Sequence, residues 1–549
     1  MNLIRFYRSA AIFRNMLLLA VGFLMVGATY GQNVTWVRSS SGGDKLKTQT
    51  AAFHAAGTAA AVTINVNPSQ TYQTMMGFGG SFTDAGAYAL NFLSAADRDA
   101  VVKAYFGPSG ADYSVCRSQM GASDFSYTLY NYDDVAGDYT LSHFNLSRDS
   151  TFLIPWIKNA LAQNPNLKIF GSPWSAPGWM KTNGNMDHCG NLITTAQTQT
   201  AWSMYFVKYV QAYAGLGVPV WGVTIQNEPG ADQTWPSMCF SDVAEHDFLK
   251  NYLGPTLAAN NLGPTKLNVM FLDHNRDMMI QWASTFYNDA TTKDMVWGEA
   301  IHWYDYQSLF ANVAQVHNTY PTKHLLATEQ CITGFNQNNP PSWANSAEQY
   351  AKDIYGDCLN GSEGWVDWNM ILNQQGGPNV SQNYCDAGIL INTAAKTYSF
   401  TPVYYCMAQF SKYVHTGAVR IGATATGNPT PDVMAFKNPD SSIVVIAHNA
   451  GTTAYNARVV VGTNQVEYAS TAQSIDDLMW YPVGVSIVNS AKTPISAKAK
   501  LSAWKHVMGL QNSAGAQAAR YTVAGKRVSE SAANHTTPGV YVDKPAITQ

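Results

Sequence analysis

The sequence predicts an α/β chain: a (β/α)8 TIM barrel with an accessory β-sandwich built from its N- and C-terminal segments. Three observations lead there. Between Gly77 and about Asn373, apolar β-branched runs alternate with amphipathic stretches, as strands and crossover helices do. Short period-two runs separated by Gly, Asn, Pro and Asp flank that region on both sides. A chain of 549 residues also has room for a barrel of about 250 residues and a second domain.

The elements follow in order. Arg5, Arg8 and Arg14 precede an apolar stretch from Met16 to Ala28, and small or polar residues follow up to Gln32. This is the pattern of a secretory signal peptide over residues 1–31, cleaved near Gly31. Its apolar core is shorter than the roughly 20 residues that a spanning helix needs, and no later segment is long and apolar enough, so no stable membrane span is expected. Residues 32–75 alternate with period two at 62–66 but are too few to hold a core alone. They are expected to complete a sandwich with 411–490, where strands are predicted at 433–437, 443–449, 457–461 and 483–488.

The barrel is placed at 76–410. Its eight strands are predicted at 76–82, 113–119, 168–172, 221–226, 267–272, 298–303, 324–328 and 365–368, with helices between them such as 95–105, 151–162, 198–214 and 242–253. The tail, 491–549, is rich in Ala, Ser, Lys and Thr up to the runs 521–528 and 538–542. Those runs resemble the two short strands of C-terminal sorting modules in some bacterial secreted proteins; a linker or disordered tail is the alternative. Leader and tail together imply a secreted or cell-surface protein of bacterial type.

Composition narrows the chemistry. A net charge of −3 leaves no basic face to hold phosphates, so a nucleic-acid partner is excluded. Charged residues are only 13% and aromatics reach 12%, which suits neutral, aromatic clefts of the kind sugars occupy. Seven cysteines at spacings without a C-x-x-C or C/H cluster indicate neither a zinc site nor a redox motif, and the odd count leaves at least one unpaired. Cys331, two residues beyond Glu329, reads as a small buried filler and not as a nucleophile.

Two segments carry the most information: Thr224-Ile225-Gln226-Asn227-Glu228-Pro229 and Leu325-Leu326-Ala327-Thr328-Glu329. Each is an apolar run ending in a glutamate, as a barrel strand reads when it delivers a carboxylate to the C-terminal rim. Glu228 follows the fourth predicted strand and Glu329 ends the seventh. Two carboxylates so placed, about 5 Å apart, meet the need of a retaining glycosidase for one acid/base and one nucleophile. No metal or other cofactor is implied. At the ends of the other strands stand Asp84, Arg117, Asp124, Trp174, His302, Trp303, Tyr304 and the stretch from Trp365 to Asn369. Trp and Tyr supply stacking faces, Asp and Asn take paired hydroxyls, and an Arg keeps a nearby carboxylate ionised. Taken singly, each is more often structural; their recurrence at one end of the strands favours a site.

These stretches resemble glycoside hydrolase family 30, and most closely its glucosylceramidases, the acid β-glucosidases. The resemblance runs in unbroken order from about residue 60 to 490 through Gly77-Phe-Gly-Gly-Ser-Phe-Thr-Asp84, Arg117 to Ser126, Ser172-Pro-Trp174 to Gly184, Asn227-Glu228-Pro229, His302-Trp303-Tyr304, Glu329, Trp365 to Asn369, and Gly376 to Asn379. It implies hydrolysis of a β-glucoside, glycolipid or β-glucan, with Glu228 as acid/base and Glu329 as nucleophile. Asp84, Trp174, Asn227 and Trp368 resemble the residues that hold the glucose, with Tyr304 beside them and Asn383 at the edge of that subsite. Arg117, Asp124 and His302 resemble its supporting shell. Gln226 stands where the mammalian glucosylceramidases have Glu and matches the family's endo-β-1,6-glucanases, so an endo-β-1,6-glucanase is the nearest alternative. An endoxylanase of the same family fits less well. The loops 185–191 and 230–239, which shape the leaving-group side, differ from the animal enzymes. A reading of another class is a non-catalytic carbohydrate-binding protein on the same scaffold, which the two glutamates oppose.

Overall fold

The structure, a computed structural model, describes residues 33–54, 60–305, 308–335 and 338–482, and the short strands Ala519–Tyr521 and Val542–Lys544. The leader and the strand expected at 483–488 lie outside the described residues, as does most of the two tail runs. Ala519–Tyr521 and Val542–Lys544 pair antiparallel.

Eight parallel strands close into a barrel: Gly77–Phe82, Val115–Met120, Lys168–Pro173, Gly222–Thr224, Asn268–Asn275, Gly298–His302, His324–Glu329 and Gly364–Asp367. All are almost fully buried, which is why they read as continuous apolar runs. Met76, Val115, Phe170, Met270, Ala300, Leu326 and Val366 form one of the barrel's cores. Gly79 has no alternative in the first strand: a Cβ there would lie 1.7 Å from the Val115 carbonyl oxygen of its neighbour.

The fourth and fifth strands depart most from the sequence expectation. The fourth ladder stops at Thr224 because the chain swings out toward Glu228, whose φ is +42°. The fifth runs on to Asn275 through a bulge between Leu272 and His274. Leu272 and Asp273 are both left-handed there, at φ +69° and +49°. A second bulge, between Ala327 and Glu329, sits in the seventh strand. Bulges of this kind re-aim side chains at a barrel rim.

The helices start where their caps predict. Ser94 Oγ accepts the Asp97 N–H at the head of Ala95–Phe106, and Thr195 Oγ1 accepts the Thr198 N–H at the head of Ala196–Gly215. The helix expected at 242–253 is longer and bulged: Asp242–Phe248 passes through a π turn, Leu249–Leu253, into Gly254–Ala259. Pro255 has no amide hydrogen to give back to residue 251, so a regular α ladder cannot run through.

The accessory domain is a nine-stranded sheet in the order Asn464–Ser470, Tyr455–Val461, Val62–Thr74, Val419–Gly427, Asp432–Lys437, Ile443–Asn449, Ser474–Trp480, Asn33–Ser40 and Lys47–Ala52. It rolls until its ends meet, where His54 and Gln465 exchange backbone hydrogen bonds of 2.9 and 3.2 Å. Residues 33–74 and 419–480 therefore enclose one core, with Trp36, Ile64, Val445, Val459 and Leu478 inside. Ser474–Trp480 escaped the sequence reading because Asp476 and Asp477 break its pattern. Asp476 is tolerated in a buried strand since Trp36 Nε1 and Arg38 Nε both donate to it, at 2.8 and 2.7 Å. Among the described residues no helix is long and apolar enough to cross a membrane.

Candidate active site

Glu329 closes the seventh barrel strand and Glu228 sits four residues past the end of the fourth, so both carboxylates reach the C-terminal rim. One carboxylate oxygen of each lies within 4.8 Å of the other, and a nitrogen of His302 lies within the same distance of both. Glu329 is 6% exposed. The left-handed backbone at Glu228 is a strained conformation for a residue with a Cβ. Two hydrogen bonds brace it: Glu228 N–H to the Asp273 carbonyl at 2.9 Å and Asn227 N–H to the Pro173 carbonyl at 2.8 Å.

Arg117, on the second strand and fully buried, is the centre of the network. It donates through Nη1 to Glu329 Oε2, through Nη2 to Asn227 Oδ1 and Asp273 Oδ2 at 2.7 and 2.6 Å, and through Nε to Ser172 Oγ at 3.0 Å. Trp174 and Trp368 stack on each other at 4.8 Å, and the guanidinium lies 4.6 Å from the first ring and 5.4 Å from the second. Tyr304 Oη donates to Glu329 Oε1 at 3.2 Å. His302 faces Glu228 through Nδ1 at 3.2 Å and Asp273 through Nε2 at 3.0 Å.

Charge follows from that geometry. Burial alone pushes His302 down, but Glu329, Asp273 and Glu228 together carry it up to about 9, so the ring is an imidazolium at neutral pH. Burial pushes Glu228 up, yet His302, His274 and Arg117 outweigh it and hold the carboxyl below its ordinary range. Burial and the Glu228 charge raise Glu329 although His302 and Arg117 oppose them. The two carboxyls therefore influence each other's ionisation, with Glu228 shifted down and Glu329 shifted up.

The other expected residues divide. Asp124 is buried with its Oδ1 lacking any partner in the protein; burial and both glutamate charges raise its carboxyl well above the ordinary range. Asn383 hydrogen-bonds Asp124, and Trp368 Nε1 is likewise buried without a partner. Buried polar atoms left open beside a rim site are what an incoming polyol would satisfy. At the head of the helix Asp84–Leu90, the Asp84 carboxylate accepts from Arg148 Nη2 at 2.8 Å and from the Tyr127 N–H at 3.2 Å. Its neighbour Ala85 belongs to the cluster that contains Trp174 and Trp368. Cys331 is buried, its Sγ 3.2 Å from that of Cys385 and 3.4 Å from Tyr304 Oη.

Asp273 is the residue that sequence reasoning missed. Fully buried on the fifth-strand bulge, it accepts from Arg117, His302, Thr224 Oγ1 (2.7 Å) and Thr328 Oγ1 (2.7 Å). It thus touches both arms of the pair, Glu228 through His302 and Glu329 through Arg117. The signal was present, since Asp273 ends an apolar run much as the two glutamates do. Glu228, His302 and Glu329 lie within a cation's reach of one another, but the Arg117 guanidinium and Tyr304 already donate to Glu329 and His302 already faces Glu228. Asp133, Asp138 and His143 form a second cluster, in which Asp138 already accepts from Thr140, Ser142 and His143.

Comparison with known proteins agrees with this architecture. Residues 75–414 match the glycosyl hydrolase family 30 TIM-barrel domain and 417–476 match the family's β-sandwich domain. The chain is 38% identical to putative glucosylceramidase 4 of Caenorhabditis elegans, over 77% of this chain and 83% of that one. It is 33% identical to endo-1,6-beta-D-glucanase neg1 of Aspergillus fumigatus, over 75% and 86%. The solved structure of the endo-beta1,6-glucanase BT3312 superposes with a TM-score of 0.74 at 28% identity, covering 82% of this chain and all of that one.

Proposed function

Because the chain belongs to glycosyl hydrolase family 30 and so is an O-glycosyl hydrolase, we propose that it cleaves β-glucosidic bonds by double displacement, with retention at the anomeric carbon. The observation that carries this is the approach of the Glu228 and Glu329 carboxylates to within 4.8 Å. A covalent route needs carboxyls about 5 Å apart, whereas an inverting enzyme keeps them roughly 6.5–9.5 Å apart to admit water.

Glu329 attacks the anomeric carbon, and Arg117 and Tyr304 hold it in line as its charge is spent. Glu228 protonates the departing oxygen, then takes a proton from the water that releases the sugar. His302 sits against Glu228 and favours its ionised form, which suits the second step. Asn227, fixed by Arg117, stands beside the acid where a sugar 2-hydroxyl would lie.

Glucosylceramide-type glycolipids and β-1,6-glucans both present a β-glucosyl unit to this pair and differ in the leaving group. The glucosylceramidase names among the relatives support the first, and Gln226 with the glucanase relatives supports the second. Export is part of the same proposal, from the N-terminal leader. Glu329→Gln should cost at least roughly three powers of ten in kcat, since it removes the covalent pathway. Glu228→Gln should spare β-glucosyl fluoride, whose leaving group needs no proton. NMR of the first product should show the β-anomer; the α-anomer first would refute the two-step route. Products from glucosylceramide and from a β-1,6-glucan, compared side by side, identify the substrate.

A further inference from the structure

The acid/base of a glycosidase faces the leaving group, because it must protonate the departing oxygen. Side chains on the loop that carries Glu228 are therefore candidates to meet the leaving group. That loop is closed on itself: Ala231 N–H bonds the Glu228 carbonyl at 2.9 Å, and Phe240 N–H returns to the Pro229 carbonyl at 2.8 Å. Between those two ties lies Trp235. It is half-buried and packs against the cluster that contains Trp174 and Trp368.

The loop is held by a second one, residues 181–192. A disulfide joins Cys189 to Cys239. Backbone bonds run from His188 to Gln233 at 2.8 Å, from Ser237 to Met186 at 2.9 Å and from Cys239 to Gly190 at 3.1 Å. The buried Lys181 ammonium donates to one carbonyl on each loop, Met186 at 2.9 Å and Ser237 at 2.6 Å. His188, Cys189 and Gly190 are consecutively left-handed, at φ +52°, +53° and +64°. Such a run persists only when its surroundings over-determine it. Gly190 is required there, since a Cβ would come within 2.4 Å of the Asn183 side chain, itself bonded to the Asp187 and His188 carbonyls. Trp235 is thus an aromatic face on a pre-organised support.

The chemistry of the two loops selects the ligand. Their exposed residues include Asn185, His188, Asn191, Asp232 and Thr234. Among the described residues, none of the exposed large hydrophobics belongs to either loop. A half-buried indole on loops whose exposed residues carry hydrogen-bonding groups fits a pyranose, with its C–H face and equatorial hydroxyls. An acyl chain would need contiguous apolar surface, which is missing from these loops.

Resting on the glucosidase reading above, we propose that Trp235, held in place by the Cys189–Cys239 disulfide, stacks on a sugar on the leaving-group side. The substrate is then a β-linked glucose oligosaccharide or glucan, cleaved between two sugars, and not a glycolipid.

The test compares wild type, Trp235→Ala, Trp235→Phe and the Cys189→Ala/Cys239→Ala pair on three substrates: a β-1,6-linked glucose trisaccharide, glucosylceramide in detergent micelles, and β-glucosyl fluoride. The fluoride has no leaving sugar to stack. Trp235→Ala should lower kcat/KM for the trisaccharide by roughly tenfold or more and change the fluoride by less than about twofold. Trp235→Phe should recover most of the loss, and the cysteine pair should show the same selective defect in smaller degree. An equal loss on fluoride would make Trp235 a packing residue of the cluster and overturn the proposal. So would an unchanged trisaccharide rate, or a wild type that prefers glucosylceramide. A wild type inert toward all three substrates overturns the glucosidase reading itself, and the platform with it.

Discussion

Replacing Arg117 with Met tests the electrostatic core of the site most directly. Methionine has a similar reach and can lie against Trp174 and Trp368, but it removes every donor that Glu329, Asn227, Asp273 and Ser172 receive from the guanidinium. A unit charge about 4 Å from a carboxylate, at an effective dielectric near 20, is worth about 4 kcal/mol. Divided by about 1.4 kcal/mol per pKa unit, that is an upper bound near 3 units, and relaxation and water entry should reduce it to about 1–2. Arg117 lowers both Glu228 and Glu329, so its loss raises both. The acid limb of the kcat/KM profile, which reports ionisation of the nucleophile, should therefore move up by about 1–2 pH units.

Stability follows the same charge. Asp273 is held far below its ordinary range: burial opposes this, and Arg117 is the largest of the influences that overcome it. A depressed carboxyl contributes stability that is present above its unfolded pKa of about 3.9 and is lost as pH falls through the folded value. Arg117→Met should cost about 3–5 kcal/mol at pH 7, from two buried carboxylates left without their cation. The gap from wild type should narrow below about pH 4, as those groups protonate. Urea unfolding at both pH values and a pH–rate profile on β-glucosyl fluoride read the two effects. Arg117→Lys keeps the charge without the fork, so its acid limb should stay near wild type while its rate falls. A folded Arg117→Met enzyme whose acid limb moves by less than about 0.3 unit would refute this account.

Trp368→Ala removes the ring stacked on Trp174 and a buried indole N–H, and should cost about 3–5 kcal/mol in urea unfolding while raising KM more than it lowers kcat. Glu299 has both carboxylate oxygens buried without a partner, and burial, with the charge of Glu245, raises it well above its ordinary range. A raised carboxyl gives stability at low pH that is lost as pH rises through the folded value, so Glu299→Gln should flatten the fall of the melting temperature on the alkaline side. Asp149 accepts from Tyr130, Tyr132 and Tyr213, yet burial carries it up to about 6. Wild type should lose stability between about pH 4 and 6 on its account, and Asp149→Asn should remove that slope in melts across the range.

Much of the barrel was legible because its strands are buried on both faces and read as apolar runs. The ends of such runs also locate the rim, so Glu228 and Glu329 could be named from local pattern. Asp273 ended a similar run and was passed over, because its role depends on a bulge that only the ladder between neighbouring strands creates. Asp84 could be named as a candidate, but not its partner: only the fold brings Arg148, 64 residues further on, against its carboxylate. The partner of Cys189 was equally hidden, 50 residues away among seven cysteines.

The chain by itself determined which segments become the barrel strands, which end of each carries polar chemistry, and which two glutamates stand at that end. These follow from side-chain period and from where apolar runs stop, both properties of neighbours along the backbone. Only the tertiary structure decided that the two carboxylates meet within 4.8 Å, that one buried arginine and one aspartate join them, and that two rim loops are stapled beneath Trp235. Those are contacts across space. Barrel closure, two strand bulges and left-handed turns set them, and no pattern along the chain records which distant side chains they bring together.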